Sequence, residues 1–302
     1  MADPAPKSAL DFSAMAILTL LCASWGLNQV AVKIANAGIS PGFQAGLRSL
    51  GAGIIIGLWS LYRREPIFKR DGTLGWGILA GLIFALEFIL LYWGLNYTSA
   101  SRAVIFLYTM PFWTALGTSL FIPGERLHRL QVAGLACAFA GVLLAFSESL
   151  SGSSQHTLLG DGLSMISAML WAALTLVVKT SPLAQARASK TLLYFLWVSA
   201  VVLLPISLLI GESGVTALTP LIWTSLAYQI IWVAGITYLI WCWLVIHYPA
   251  SRLSSFLFLT PLFGVMAGAL LLGEPLTPRL FAAMALVALG IYLVNRPQEL
   301  HG

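Results

Sequence analysis

Glu87 is the one acidic residue deep inside a long apolar stretch of this sequence. It stands about 14 residues into the segment 73–96, which at ~1.5 Å per residue places it roughly 20 Å along a helix. A carboxylate inside hydrocarbon costs ~2.5 kcal/mol or more, so it should face a water-filled cavity or a partner. It could bind a substrate amino group or take and release a proton. Alternatively, it is protonated, or it is paired with Arg48 as a purely structural bridge.

Arg48 lies in the outer half of the preceding apolar segment, 41–62. Its guanidinium could bind a substrate carboxylate, or its long side chain could snorkel toward the external lipid headgroups. We favour a structural role for this residue.

Two tryptophans, Trp25 and Trp171, stand in the middle of apolar segments, away from the interfacial belts where tryptophan usually contacts headgroups. Asn28 follows the first by about one helical turn, and Thr175 follows the second. Each helix can therefore present an aromatic ring and a polar group on one face. Such a face suits an amphipathic zwitterion.

Tyr108 and Trp232 complete the set of expected substrate-binding residues. Tyr108 belongs to the phrase ASRAVIFLYTMP. The segment YQIIWVAGITYLIWCWLVIHY carries a stripe at roughly helical spacing, namely Tyr228, Trp232, Gly235, Ile236, Leu239 and Trp243. Because such a stripe more often faces lipid or the protein core than a ligand, only Trp232 is taken from it.

The composition of the chain is that of a membrane protein. Of its 302 residues, 59% are hydrophobic and 9% are charged, against about 45–50% apolar and about 25% charged in an ordinary soluble domain. A transmembrane helix needs about 20 mostly apolar residues. Segments of this kind occupy 14–35, 41–62, 73–96, 99–122, 127–147, 159–180, 189–211, 218–246, 250–272 and 278–295. We therefore expect an all-α polytopic membrane protein with ten transmembrane helices.

The distribution of Lys and Arg predicts how the chain lies in the membrane. With the N-terminus in the cytoplasm, twelve of the sixteen Lys and Arg residues fall on the cytoplasmic side, including those of the loop YRREPIFKRDG. The loops SESLSGSSQ and GESGVTALT carry none and are expected outside. Both termini are then cytoplasmic. Because the basic residues lie in short loops rather than in an aromatic-laced patch, nucleic acid is not an expected partner.

The sequence contains an internal repeat. The phrase ASRAVIFLYTMP, ending at Pro111, matches ASRLSSFLFLTP, ending at Pro261, at six positions with a constant shift of 150, and GERL and GEPL follow them. Residues 1–150 and 151–302 would each form five helices. Since five is odd, the second half enters the membrane from the opposite side, an inverted repeat typical of carriers with a site near the midplane. The two prolines would lie mid-helix, as static kinks or as hinges that bend when the cavity changes its opening.

Two stretches carry a resemblance to a known family: YTSASRAVIFLYTMPFWTALGTSLFIPGERL and YPASRLSSFLFLTPLFGVMAGALLLGEPL, each with a small-residue entry, a central proline and a closing Gly-Glu. They resemble the drug/metabolite transporter superfamily, EamA type, which implies ten helices in two five-helix repeats. The acidic residue in FALEFILLYWGLNY and the tryptophan in SAMLWAALTLVVK are similar to those of the YddG-like aromatic amino-acid exporters. This likeness implies export of amino acids through the inner membrane. In that superfamily an arginine at the place of Arg48 is an ordinary feature.

The expected function is therefore secondary transport, the export of amino acids (aromatic and other neutral ones) or similar small metabolites across the inner membrane by alternating access. Multidrug or quaternary-cation efflux is the alternative, because aromatic rings and a carboxylate also suit a cation. A polytopic membrane enzyme would need His, Asp or Ser clustered near one interface, and a channel would need a charged ring or a re-entrant filter. The sequence shows neither pattern, so the membrane enzyme and the channel stay as alternatives that rank below transport.

No cofactor is expected. The phosphate-binding pattern GxxxxGK followed by Ser or Thr does not occur, so no ATP site is predicted. Cys22, Cys137 and Cys242 lie in apolar segments without paired spacing, which predicts neither a metal site nor disulfides. The expected partners are a small-molecule substrate and the lipid bilayer. Protons are a candidate coupling ion, which a single buried carboxylate neither requires nor excludes.

Overall fold

The computed structural model describes residues 9–95, 97–98, 103, 106–122, 127–145, 147, 155–272 and 278–296. Within these ranges the chain is helical and forms no β-strand beyond an isolated bridge between Ile39 and Val215. The helices are α1 (Phe12–Ala35), α2 (Pro41–Tyr62), α3 (Leu74–Leu95), α4 (Met110–Phe121), α5 (Arg129–Ala145), α6 (Gln155–Thr180), α7 (Ala188–Leu209), α8 (Pro220–Ala227), a π-helical segment (Tyr228–Thr237), α9 (Tyr238–His247), α10 (Ala250–Phe256), α11 (Leu259–Leu272) and α12 (Pro278–Asn295). Arg102 and the Gly-Glu motif that closes each repeat lie outside the described residues.

Each of the ten predicted apolar segments contains a described helix. Six helices are long and apolar enough to cross a bilayer: α1, α2, α3, α6, α7 and the continuous helix Pro220–His247, which α8, the π segment and α9 form together. The shorter helices α5 and α12 are also apolar. The molecule is thus an all-helical membrane protein, while the count of ten membrane-spanning helices stays a prediction.

Capping residues in the sequence define where several of these helices begin. Asp11 accepts a hydrogen bond from the N–H of Ala14 (2.9 Å) at the start of α1. Thr219 accepts one from the N–H of Ile222 (3.3 Å) at the start of α8. Pro41 and Pro220 occupy the first position of α2 and α8, where the missing N–H has no partner in any helix.

The second helices of the two repeats, α2 and α7, pack against each other and run in opposite directions. At one end, Glu212 follows α7 and accepts hydrogen bonds from the backbone N–H groups of Gly42 and Phe43 at the start of α2 (3.1 and 2.9 Å). At the other end, Glu65 follows α2 and accepts a hydrogen bond from the Ser189 hydroxyl at the start of α7 (2.5 Å). Corresponding helices therefore run antiparallel, as an inverted repeat requires.

The turns that follow α2 and α7 are alike at a shift of 147 residues. Arg64 and Gly211 both have a positive φ, 53° and 85° respectively. The N–H groups of Glu65 and Glu212 each donate to the carbonyl oxygen five residues earlier, at 2.9 and 3.1 Å. Such left-handed turns end helices by satisfying their last carbonyl groups. The same local turn therefore carries both glutamates to the neighbouring helix.

The fifth helix of each repeat, α5 and α12, also pack antiparallel and at short range. A Cβ atom added at Gly134 would lie 2.8 Å from the carbonyl oxygen of Gly290, and one at Gly141 would lie 2.7 Å from that of Ala283. Only glycine permits so close an approach of two backbones. This contact and the α2/α7 contact link the two halves of the chain.

The fourth and ninth segments, predicted as single helices, are each divided at corresponding positions. Tyr108 and Thr109 form a turn before α4, and Leu257 and Phe258 form one between α10 and α11. The two turns are 149 residues apart, within one residue of the repeat shift of 150. Interrupted helices at matching positions of two inverted halves are where carriers commonly build their binding site.

Pro111 and Pro261 lie directly after these turns. Each belongs to the first helical turn of the second piece, α4 or α11, where a helix has no bond for the missing N–H. The expected position in the middle of a continuous helix is therefore wrong. A role as hinges stays a prediction.

Candidate functional site

Glu87 on α3 and Arg48 on α2 are both buried, with 6% and 2% of their surface exposed. The Arg48 guanidinium lies beside the residue that follows Glu87 in α3. It lies 4.6 Å from the ring centroid of Phe88 and 5.7 Å from that of Tyr238, distances at which an aromatic face attracts a cation. Arg48 thus points into the protein, and the alternative that it snorkels to the headgroups is wrong.

Several buried hydrogen-bond donors and acceptors at this site have no partner among the described residues. Oε2 of Glu87, Nε and Nη2 of Arg48 and Oδ1 of Asn28 are buried and make no hydrogen bond to any described residue. The backbone beside Glu87 is held in place, because its carbonyl oxygen accepts a hydrogen bond from the Ser167 hydroxyl of α6 (2.9 Å). Since buried charged groups are normally hydrogen-bonded, these atoms are suited to a ligand that supplies their partners.

Trp25 is the centre of an aromatic cluster, a name used here for Trp25, Tyr108, Trp171, Tyr238 and Trp241. Its ring centroid lies 6.3 Å from Trp171, 5.9 Å from Tyr238 and 5.5 Å from Trp241. Its indole N–H donates to the Thr237 hydroxyl at 2.8 Å, which fixes the ring. The corresponding tryptophans of the two repeats, Trp25 and Trp171, therefore meet.

Tyr108 extends the aromatic cluster to the break in the fourth segment. It is buried, and its ring centroid lies 6.3 Å from that of Trp171. At the opposite end of the cluster, Tyr238 contacts Arg48. The structure thus brings Tyr108, Trp171 and Trp25 together. Tyr238 connects them to Arg48, which lies against Phe88, the residue next to Glu87 in α3.

Asn28 and Thr175, expected as polar partners of the two tryptophans, are both buried. The Asn28 Oδ1 atom accepts no hydrogen bond from a described residue, so it could accept one from a ligand. The Thr175 hydroxyl donates to the carbonyl oxygen of Trp171 in its own helix (3.1 Å), so its hydrogen is already used. Contact of either residue with a substrate stays a prediction.

Trp232 stands apart from the aromatic cluster. Its indole N–H donates to the Ser24 hydroxyl of α1 (2.9 Å), and the neighbouring Tyr228 hydroxyl donates to the Ser24 carbonyl oxygen (2.9 Å). Within the described part of the chain, Trp232 makes no ring contact with Trp25 or Trp171. These bonds join the π segment to α1, and a substrate contact by Trp232 stays a prediction.

The π segment explains why sequence periodicity missed Tyr238 and Trp241. A π-helix bonds i to i+5 instead of i to i+4, so it rotates the residues that follow it relative to an α-helical stripe. Of the stripe that starts at Tyr228, Ile236 and Trp243 are exposed, at 40% and 36%. Tyr238 and Trp241, which the 3.6-residue period leaves out, face the aromatic cluster instead. A π segment is frequently found at a functional site.

The comparisons with known proteins agree with this architecture. A model of the EamA-like transporter family matches residues 12–147 and again 158–296. The chain is 28% identical over 284 residues to a probable amino-acid metabolite efflux pump of Escherichia coli (strain K12), covering 91% of this chain and 92% of that protein. It is 30% identical over 287 residues to a protein of the same description from Salmonella typhimurium, covering 91% and 92%. A solved crystal structure with 17% identity superimposes with a TM-score of 0.81 over 94% of this chain and 96% of the other, a likeness that concerns the fold.

Proposed function

Because the chain belongs to the EamA-like transporter family, we propose that this membrane transporter exports amino acids, aromatic and other neutral ones included, or similar small metabolites across the inner membrane. The relatives described as probable amino-acid metabolite efflux pumps support this substrate class. The clustering of Lys and Arg in alternate loops supports cytoplasmic termini. A transporter of this family carries its substrate without converting it.

The observation that carries the proposal is a buried carboxylate beside an aromatic cluster. Oε2 of Glu87 accepts no hydrogen bond from a described residue. In the same helical bundle, the ring centroids of Trp25 and Trp171 lie 6.3 Å apart. A substrate with a charged head and an apolar side chain would place its ammonium group at Glu87. Its side chain would lie against the tryptophans and Tyr108, with Asn28, Thr175 and Trp232 as further contacts.

Alternating access would use the two interrupted helices. The break at Tyr108 and the break at Phe258 correspond in the inverted repeats, so a movement at one of them has its counterpart on the opposite side of the membrane. Two states of similar energy, one open to each side, then exchange around one site. Pro111 and Pro261 would act as hinges beside these breaks.

Counterflow in proteoliposomes tests the proposal. Purified protein is reconstituted with unlabelled phenylalanine inside, and uptake of radiolabelled phenylalanine, leucine and lysine is followed against protein-free vesicles. Saturable uptake of the neutral amino acids supports the proposal, and uptake equal to that of empty vesicles contradicts it. The same vesicles with an imposed pH gradient measure whether protons are coupled to transport.

Quaternary-cation efflux is the second candidate, because Glu87 and the aromatic cluster would also suit a cation. Tetraphenylphosphonium added to the counterflow assay separates the two functions. An amino-acid exporter keeps its phenylalanine uptake in the presence of this cation. A cation carrier takes up radiolabelled tetraphenylphosphonium and no phenylalanine.

A further inference from the structure

We infer that Arg48 binds the carboxylate of the substrate while Glu87 binds its ammonium group, so that the transporter recognises the zwitterion of a free α-amino acid. This assignment rests on the proposed function and narrows its substrate class. Among the described residues, Nε and Nη2 of Arg48 have no acceptor, and Oε2 of Glu87 has no donor. Both side chains are more than nine-tenths buried.

A purely structural ion pair would use these atoms on itself. Arginine and a carboxylate in direct contact commonly form two parallel hydrogen bonds, which satisfy both groups. Here Arg48 lies against Phe88, the residue next to Glu87, yet atoms of both side chains have no hydrogen-bond partner among the described residues. An unmatched charged atom in a buried site costs free energy, which a ligand bearing the opposite groups would recover.

The surroundings of Arg48 hold the guanidinium without using those donors. Phe88 and Tyr238 lie 4.6 and 5.7 Å from its central carbon. A guanidinium is planar, with its donors at the edge and its faces available for rings. The ring contacts therefore orient the group, and its edge remains available to a carboxylate.

The position of Tyr238 links this charged pair to the aromatic cluster. Its ring contacts Arg48, and its centroid lies 5.9 Å from Trp25 and 6.2 Å from Phe84. A zwitterion bound between Arg48 and Glu87 thus has aromatic rings within reach of its side chain. A cation without a carboxylate would leave the Arg48 donors without an acceptor and would be repelled by the guanidinium charge. A carboxylic acid without an amino group would be repelled by the Glu87 carboxylate.

Competition with matched analogues of phenylalanine tests the assignment. In the counterflow assay, labelled leucine is the substrate, and unlabelled phenylalanine, phenylalanine amide and 3-phenylpropionate are added separately as competitors. The amide lacks the carboxylate, and 3-phenylpropionate lacks the ammonium group. For the wild-type protein we expect the half-inhibiting concentration of each analogue to be at least about tenfold higher than that of phenylalanine. A site that provides a charged partner rejects a ligand without the matching charged group. Equal competition by phenylalanine and its amide overturns the assignment, even when amino-acid export itself is confirmed.

Three variants separate recognition from folding. Arg48→Gln should bring the half-inhibiting concentrations of phenylalanine and its amide to within about threefold of each other, and Glu87→Gln should do the same for phenylalanine and 3-phenylpropionate. Arg48→Lys keeps the charge and should retain part of the preference. The matched control is Arg63→Gln, at an exposed position after α2; it should keep the wild-type ratio.

A role of Arg48 in folding alone predicts a different pattern. Uptake would then fall for all compounds while the ratio between phenylalanine and its amide stays as in the wild type, which overturns the assignment. If Arg48→Gln does not fold, Arg48→Lys and the wild-type analogue series decide the question. Failure of the wild-type protein to take up any amino acid would instead remove the proposed function, and with it this assignment.

Discussion

Glu65 and Glu212 lie 147 residues apart and hold opposite ends of one antiparallel helix pair, α2 and α7. Each follows the second helix of its repeat and bonds to the start of the corresponding helix in the other repeat. Their donors differ: backbone N–H groups bond to Glu212, whereas Arg187 and the Ser189 hydroxyl bond to Glu65. Hydrogen bonds thus join α2 and α7 at both ends of the pair.

Replacing Glu212 by glutamine should destabilise the protein. The carboxylate accepts from Gly42, Phe43 and the Ser207 hydroxyl, and it lies at the positive end of α2. An amide would turn its NH₂ group toward one of these donors. We expect a loss of about 1–2 kcal/mol in the free energy of unfolding, seen as a lower melting temperature in detergent by intrinsic fluorescence.

Glu65→Gln provides the comparison at the other end of the pair. Its partner Arg187 has a side chain that is 60% exposed, so the ion pair is screened and the loss should stay below about 1 kcal/mol. Lys69→Gln in the same loop is the control, because only the carbonyl oxygen of Lys69 bonds to Lys190. A Glu212→Gln protein that melts with the wild type would contradict the role given to this carboxylate.

Asp71 makes one contribution to stability depend on pH. The Lys190 ammonium (2.8 Å) and the Thr73 hydroxyl (2.6 Å) hold the pKa of the Asp71 carboxyl at about 2, below its ordinary value of 3.8. Because the folded pKa is the lower one, the stabilisation is complete above pH ~4 and declines as the pH falls toward 2. Since Asp71 is exposed, it amounts to less than about 1 kcal/mol.

Melting curves of Asp71→Asn and wild type at several pH values measure this contribution. The variant should melt lower than the wild type by the same margin at pH 7 and pH 5, and by about half that margin at pH 3. A margin that is unchanged at pH 3 would mean that the carboxylate charge does not contribute through Lys190.

Trp171 should contribute to transport through its ring. Its centroid lies 6.3 Å from Trp25 and from Tyr108, so Trp171→Ala removes the link between them. We expect counterflow of phenylalanine to fall about tenfold, while Trp171→Phe retains most of it. Trp223→Ala is the control, because that side chain is 53% exposed; a loss of equal size in this control would contradict a local role of Trp171.

Pro111 and Pro261 allow a test of the hinge proposal. Both lie in the first turn of a helix, so replacement by alanine creates no clash and should change stability by less than about 1 kcal/mol. If the prolines limit bending to the adjacent breaks, each alanine variant should show a lower counterflow rate at unchanged melting temperature. Wild-type rates in both variants would leave the prolines as static features.

The sequence predicted the helical segments well, because lipid demands long apolar helices whatever their tertiary contacts. The start of α2 at 41 and its end at 62 agree with the structure residue by residue. The sequence-based prediction failed where a span is interrupted, because the breaks at Tyr108 and Leu257 contain no charged residue, glycine or asparagine that would mark a turn. A proline was visible there, but its place in a first helical turn depends on the break beside it.

The site was predicted in part for a similar reason. Glu87, Trp25 and Trp171 could be proposed because a carboxylate or a mid-segment tryptophan is unusual in lipid, and their contact with a substrate stays a prediction. Tyr238 was missed because the π segment before it rotates the helix relative to the 3.6-residue period. Arg48 was assigned a structural role because an arginine at that place is an ordinary feature of the superfamily that the sequence resembles. The sequence does not tell which way a charged residue near the end of a span points. That is decided by its contacts with Phe88 and Tyr238.

Counterflow of radiolabelled phenylalanine by wild type and Glu87→Gln in the same lipid tests directly whether Glu87 binds the transported amino acid. The two side chains have nearly the same volume, so size-exclusion profiles and melting temperatures should show that the variant is folded. We expect saturable uptake by the wild type and a loss of at least about tenfold in the variant, since residue 87 would no longer bind the ammonium group. Equal uptake by the two folded proteins would contradict it.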